Sequence, residues 1–346
     1  MARVGIFLTV LALIAGTVGC DGNGSQNLEI RTWHDLAAIS GNLNGDYTLM
    51  NDLDSTTPGY QNLAGPTANG GKGWQPIGDL IDGFTGSLDG QGFEIKDLFI
   101  NRPSGSCVGL FGCANGTVKS VGVMNANVTG YWQVGIMVGI NEGTVSNSYS
   151  TGTVGGDSFV GGLVGWNEKS TLSNSYSTGN VAGDAYVGGL VGTNGGSVSN
   201  SYSTGNVGGD TDVGGLVGSN LGNVTECHAT GSVIGNWNVG GLAGRNQDTV
   251  SNSYSIGNVT GTYNYGGLVG YGVYGTVTNS FWDTETSGQP TSYGGTGLNT
   301  TQMHDFITFS GAGWDIIGVL NPSIRNLSYI WNMVNNVTYP FLSWEP

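Results

Sequence analysis

The hexapeptide VGGLVG at Val160 returns at Val187 and Val213, as VGGLAG at Val239 and as YGGLVG at Tyr265, a spacing of 26 or 27 residues. A unit this short cannot enclose a core alone, so its copies must stack and bury one another's apolar faces. Aligned on their tails, the units read VSNSYSTGTV from Val145, LSNSYSTGNV from Leu172, VSNSYSTGNV from Val198, VTECHATGSV from Val224, VSNSYSIGNV from Val250 and VTNSFWD from Val277. Weaker copies, VGIMVG at Val134 and VGLFG at Val108, extend the series upstream. Short runs rich in Val, Ser, Thr and Tyr, divided by Gly and Asn, carry no 3.6-residue apolar stripe and predict strands. The expected fold is all-β: a parallel β-solenoid with one coil per unit and caps at both ends, a β-helix that is right-handed by the usual crossover preference.

One coil per unit places equivalent residues about 4.8 Å apart along the axis, so every alignment column becomes a ladder. Ser148, Ser175, Ser201, Ser253 and Ser280 share a column with Cys227, and Ser150, Ser177, Ser203 and Ser255 share one with Ala229. Replacement by Cys and Ala favours the interior for both. Strand alternation then puts Tyr149, Tyr176, Tyr202, His228, Tyr254 and Phe281 on an outer, half-wet face as an aromatic stack. The opposite assignment, aromatics inward, stays open. Asparagine fills two more columns: Asn147, Asn174, Asn200, Asn252 and Asn279, interrupted by Glu226, and Asn115, Asn141, Asn167, Asn194, Asn220 and Asn246. Both are expected at corners, with amides bonded along the ladder. Leu163, Leu190, Leu216, Leu242 and Leu268 supply buried bulk beside the paired glycines.

Charge narrows the partners. With 24 acidic and 9 basic residues among 346, the net charge is −15 and a phosphate backbone would be repelled. The first residues carry Arg3 and then an apolar stretch from Val4 to Val18, short for a membrane span and suited to a signal segment. Export to the cell envelope or surface follows. The divisions expected are a signal segment at 1–19, a tether at 20–27, an N-terminal cap with irregular coils at 28–105, repeats at 106–283 and a C-terminal cap at 284–346.

The Gly19-Cys20 junction followed by DGNGSQN resembles the lipobox of bacterial lipoproteins, which implies acylation of Cys20. That lipid would be the chain's one contact with a membrane. Thr17 stands where leucine is more usual, and simple signal cleavage is the alternative. The repeats, with GGLVG or GGLAG in five units, resemble the GLUG-motif family, named for Gly-Leu-x-Gly. WHDLAAI from Trp33, GDYTLMNDLD from Gly45, WQPIG from Trp74 and FTGSLDGQGFEIKDL from Phe84 are similar to the leading segment of such proteins. FWDTETSGQ from Phe281, GGTGLNTTQM from Gly294 and YPFLSW from Tyr339 are similar to their trailing segment. The resemblance implies a β-solenoid on secreted or surface-exposed microbial proteins, often adhesin-like, sometimes attached to peptidases whose catalytic part lies elsewhere.

A short helix is expected over Trp33 to Ile39, and Asn299 with Gln302 reads as a capping box opening a helix through Phe306. Trp282, Trp314, Trp331, Trp344 and Phe341 are expected to pack the cap rather than form a sugar platform. Catalysis finds little footing. His34, His228 and His304 lack zinc-site spacing, no G-x-S-x-G occurs, and Lys119, Lys169 and Arg245 share no repeat position. The expectation is a non-catalytic adhesin-like scaffold without cofactor, whose partner is a surface protein or a glycan. The alternative is a carbohydrate-binding or carbohydrate-active β-helix using the aromatic column, with Tyr149, Tyr176, Tyr202 and Tyr254, or the C-terminal tryptophans.

Asp157, Asp184 and Asp210 share a turn position, where stacked carboxylates repel and Ca²⁺ would relieve the repulsion. The column breaks at Asn236 and Thr262 and no GGxGxD core occurs, which favours solvated charge. Cys107, Cys113 and Cys227 are expected as free, buried thiols. With VGLFG read as one strand, the first two lie roughly 20 Å apart, whereas a disulfide needs less than about 7 Å and so would require a bend.

Overall fold

The computed structural model describes the backbone of residues 18–20 and 26–345 and side chains from residue 28 onward. The signal segment up to Thr17, most of the tether and the Cys20 side chain lie outside the described residues.

The repeats form a parallel β-solenoid. One coil runs through strands Ser197–Ser203, Val207–Gly208, Thr211–Gly214 and Val217–Asn220. The next tail, Asn223–Ala229, lies parallel on the first with Val198 opposite Val224, Ser201 opposite Cys227 and Tyr202 opposite His228. The last two strands of each coil are the arms of an arch, and they build two seven-stranded sheets. The tails belong to a larger sheet that continues without interruption into the leading segment, through Gln26–Ile30, Asp46–Leu49, Ser87–Asp89 and Thr117–Lys119.

Aliphatic columns fill the interior. Val145, Leu172, Val198, Val224 and Val250 form one, and Leu163, Leu190, Leu216, Leu242 and Leu268 another, all buried. Both serine columns also point inward, so the aromatic column lies outside. The serines answer two local needs. Asn147, Asn174, Asn200, Glu226, Asn252 and Asn279 take left-handed φ values between 46° and 55°, which turns the corner and displaces the next N–H from the ladder. The serine hydroxyl one coil on accepts that N–H: Ser148 donates to Ser175 Oγ, Ser175 to Ser201 Oγ and Ser253 to Ser280 Oγ, each at 3.2 Å. The second column spans the interior, with Ser150, Ser203 and Ser255 donating to the carbonyls of Gly162, Gly215 and Gly267 at 2.8, 2.5 and 2.7 Å.

The glycines are contact residues. A Cβ on Gly188 would stand 2.0 Å from the Val191 carbonyl oxygen, and one on Gly189 2.1 Å from that of Gly215. Arms and neighbouring coils therefore approach closer than any larger residue permits.

Three expectations change. Asn115 is not in the asparagine ladder, because Asn141 lies opposite Ala114. VGLFG is one residue shorter than the arch from Val134 to Val138, which moves Asn115 past the corner. The helix opened by the Asn299–Gln302 capping box stops at Met303, and a second, Phe306–Gly311, starts where Asp305 accepts from the Ile307 N–H. Finally, VGLFG is not one strand: Ser106–Val108 and Phe111–Ala114 belong to different sheets and the chain turns between them. Cys107 and Cys113 are thus on facing arms, both buried and free, as is Cys227. At the leading end the helix covers Trp33–Ala38, with Thr32 and Asp35 as its capping box.

Candidate functional site

The tail register stacks the aromatic column ring on ring. Tyr149–Tyr176 and Tyr176–Tyr202 centroids are 4.8 Å apart, Tyr202–His228 4.9 Å and His228–Tyr254 5.0 Å, all within 5° of parallel. The spacing is that of the β-ladder, so the backbone sets it.

The C-terminal cap does not stop at the end of the stack. It folds back along this outer face, where Met303, Phe309, Trp331, Met333 and Leu342 form a second core with Tyr202, Tyr254 and Phe281. Tyr254 donates to the Pro340 carbonyl at 2.6 Å, Trp331 to the Glu226 carboxylate, and His228 Nε2 meets Glu345 at 3.3 Å. Tyr202 and Tyr254 are consequently only 4% and 2% exposed. The half-wet face is wet only at its leading end, at Tyr149 and Tyr176, because the cap's apolar residues need a partner surface and the repeats offer this one. The tryptophans expected in the cap divide: Trp314 and Trp331 are buried there, Trp344 is partly exposed against Tyr176 and Tyr202, and Trp282 joins the main core.

Where the cover ends, Asn147, Asn174, Tyr149, Tyr176 and Trp344 line a cavity of about 250 Å³. A second of similar size continues past Asn200 and Tyr329. At the head of the groove Tyr149 donates to Glu94, and Lys96 bridges Glu94 and Asp52 at 2.8 Å each. The Lys96 hydrogen bond holds both carboxyls below their ordinary values, while burial and then Glu94 raise the Tyr149 hydroxyl. Carboxylates held ionised in this way are poor proton donors near neutrality. Flat rings flanked by the exposed Asn147 amide and the half-buried Asn174 amide instead suit a ligand with apolar faces and hydroxyl edges.

Glu94, Lys96 and Asp52 escaped the sequence reading because they lie outside the repeats, and Glu94 meets its tyrosine across 55 positions. The Trp344 contacts were equally hidden.

Asp157, Asp184 and Asp210 do stack: the Asp184 and Asp210 backbone N–H groups donate to the carbonyls of Asp157 and Asp184 at 2.8 Å, and that of Asp157 to the Tyr131 carbonyl at 2.9 Å. Asp157 accepts from Ser158, and Asp210 from Thr211 and Asn236. Among the described residues no group of three or more His, Cys, Asp or Glu converges as a metal site. No described helix is long and apolar enough to cross a membrane.

The GLUG motif model matches residues 158–182, 183–208, 209–234 and 235–260. A protein named Halomucin, from Haloquadratum walsbyi, is 39% identical over 157 residues, 42% of this chain and 2% of its own length. A protein provisionally named a Gly-rich membrane protein, from Evansella cellulosilytica, is 35% identical over 106 residues, 29% of this chain and 11% of that one. The chain therefore spans a small part of either relative. A crystal structure from Bacteroides ovatus, provisionally titled an immunoglobulin A1 protease, superposes with a TM-score of 0.55 over 96% of this chain and 94% of that one. At 20% identity this likeness concerns the fold alone. The chain is a parallel β-solenoid in which four consecutive units carry the GLUG motif.

Proposed function

We propose that this protein is an exported, non-catalytic scaffold that holds a rigid repeat surface at the cell envelope for adhesion, tethered by a lipid on Cys20. The observation carrying this reading is the continuity of the ladders: backbone, serine, asparagine and aromatic columns all run from coil to coil, which makes a stiff display surface. The names of the two relatives, Halomucin and a Gly-rich membrane protein, support a surface location. Fractionation of the producing cells with metabolic lipid labelling tests it. The wild type should carry label in the membrane fraction and Cys20→Ser should lose both label and fractionation. Retention of the wild type in the cytosol contradicts the reading.

A second reading is favoured by the open end of the aromatic stack. Tyr149, Tyr176 and Trp344, with the Asn147 and Asn174 amides, form a groove suited to a neutral glycan. Glycan-array binding lost in Tyr176→Ala supports this reading, and an array without signal for the wild type opposes it.

A further inference from the structure

The first arch holds two thiols that none of the ladders uses. Cys107 lies on Ser106–Val108, Cys113 on Phe111–Ala114, and the turn at Gly109 and Leu110 folds one arm onto the other. The arms are close: a Cβ on Gly112 would stand 3.0 Å from the Cys107 carbonyl oxygen. The two buried thiols pack together with Ile140. In a later arch Phe159 and Trp166 occupy the corresponding facing places and stack at 5.6 Å. Cysteines at these places face one another across the arch, within one packed cluster.

The pair also has a route to solvent. A cavity of about 390 Å³ opens over Cys107, lined among others by Gly78, Asp79, Leu80, Ile81 and Arg102. Cys113 is not part of that lining. An external reagent therefore meets Cys107 first, with Cys113 behind it.

We propose that Cys107 and Cys113 are a redox-active dithiol site that closes to an intramolecular disulfide when the chain meets a disulfide oxidant, clasping the two arms of the first arch. Cys107, as thiolate, attacks one sulfur of the oxidant; a mixed disulfide forms and the other oxidant sulfur leaves, taking up a proton. Cys113 then gives up its proton, attacks the Cys107 sulfur and expels the second oxidant sulfur as a thiol. Two protein thiols and one external disulfide become one protein disulfide and two external thiols. The opening of the cavity over Cys107 sets this order, and the neighbouring Cys113 thiol holds Cys107 below its ordinary value against burial and the Asp79 charge. The Cys107 thiol and then burial push Cys113 up, with Glu142 and Asp79 adding to the effect. Cys227 has no such partner: burial pushes its thiol up to about 12.

Trypsin releases residues 97–119 as one peptide holding both cysteines, because Pro103 protects the bond after Arg102. The folded full chain is incubated with oxidised glutathione, denatured, alkylated without reductant and digested. The peptide should be two hydrogens lighter and unalkylated, with Cys227 alkylated. In Cys113→Ser, Cys107 should retain one glutathione. Alkylation of both Cys107 and Cys113 in the oxidant-treated wild type overturns the proposal, as does glutathione distributed equally between Cys107 and Cys227.

Discussion

The side-chain amide of Asn194 donates to Oδ1 of Asn220 at 2.9 Å, and both residues are fully buried. The same bond joins Asn141 to Asn167, Asn167 to Asn194 and Asn220 to Asn246, while Asn194 also donates to the Asn223 carbonyl at 3.1 Å. Asn194→Ala removes the acceptor of Asn167 and the donor to Asn220 together. Unfolding in urea should show a loss of about 1–3 kcal/mol. Asn115→Ala, on the exposed residue outside the ladder, should stay within about 0.5 kcal/mol. Equal effects would remove the ladder from the account.

Leu216→Ala leaves a void in the fully buried leucine column and should cost about 2–5 kcal/mol, read from the shift in denaturation midpoint. Gly188→Ala tests a different contact. Its Cβ would stand 2.0 Å from the Val191 carbonyl oxygen, so backbone must move and the thermal transition should fall despite the gain in chain stiffness.

Two glutamates under the cap respond oppositely to pH. Burial raises the Glu226 carboxyl despite hydrogen bonds from Trp331 and Asn252. Its protonated form suits the fold, so stability falls as pH rises through the raised value. Glu226→Gln should therefore raise the melting temperature at about pH 8 and converge with the wild type at about pH 3. Burial also opposes ionisation of Glu345, yet the His228 charge and hydrogen bond, the Leu342 N–H and Arg325 hold it below its ordinary value. Its contribution is present above that ordinary value and lost as pH falls through the lowered one. Glu345→Gln should lower the melting temperature at about pH 5.5 and leave it unchanged at about pH 3. Melting curves of each variant at its two pH values check the signs.

Much of the repeat region was legible because columns constrain one another. Cys227 and Ala229, standing where other units have serine, marked those columns as interior, and strand alternation then put Tyr202 and His228 outside. The asparagine corners were legible for the same reason. What escaped depended on single residues or long-range contacts. The short first arch displaced Asn115, and its apolar VGLFG run hid a turn that Gly109 permits. The fold-back of the cap left no periodic trace, since Trp331 meets Glu226 across 105 positions. With it went the exposure of Tyr202 and Tyr254, and hence the position of the groove.

The coil-per-unit register is tested most directly by pulsed electron resonance between spin labels along one column. Ser106, Trp132, Ser158, Ala185, Thr211, Trp237 and Tyr263 lie opposite one another in successive coils. Labels at Ser106 and Thr211, four steps apart in that register, should lie about 19 Å apart. Labels at Ser106 and Tyr263, six steps apart, should lie about 29 Å apart. A separation that does not grow with the number of intervening units would contradict the solenoid.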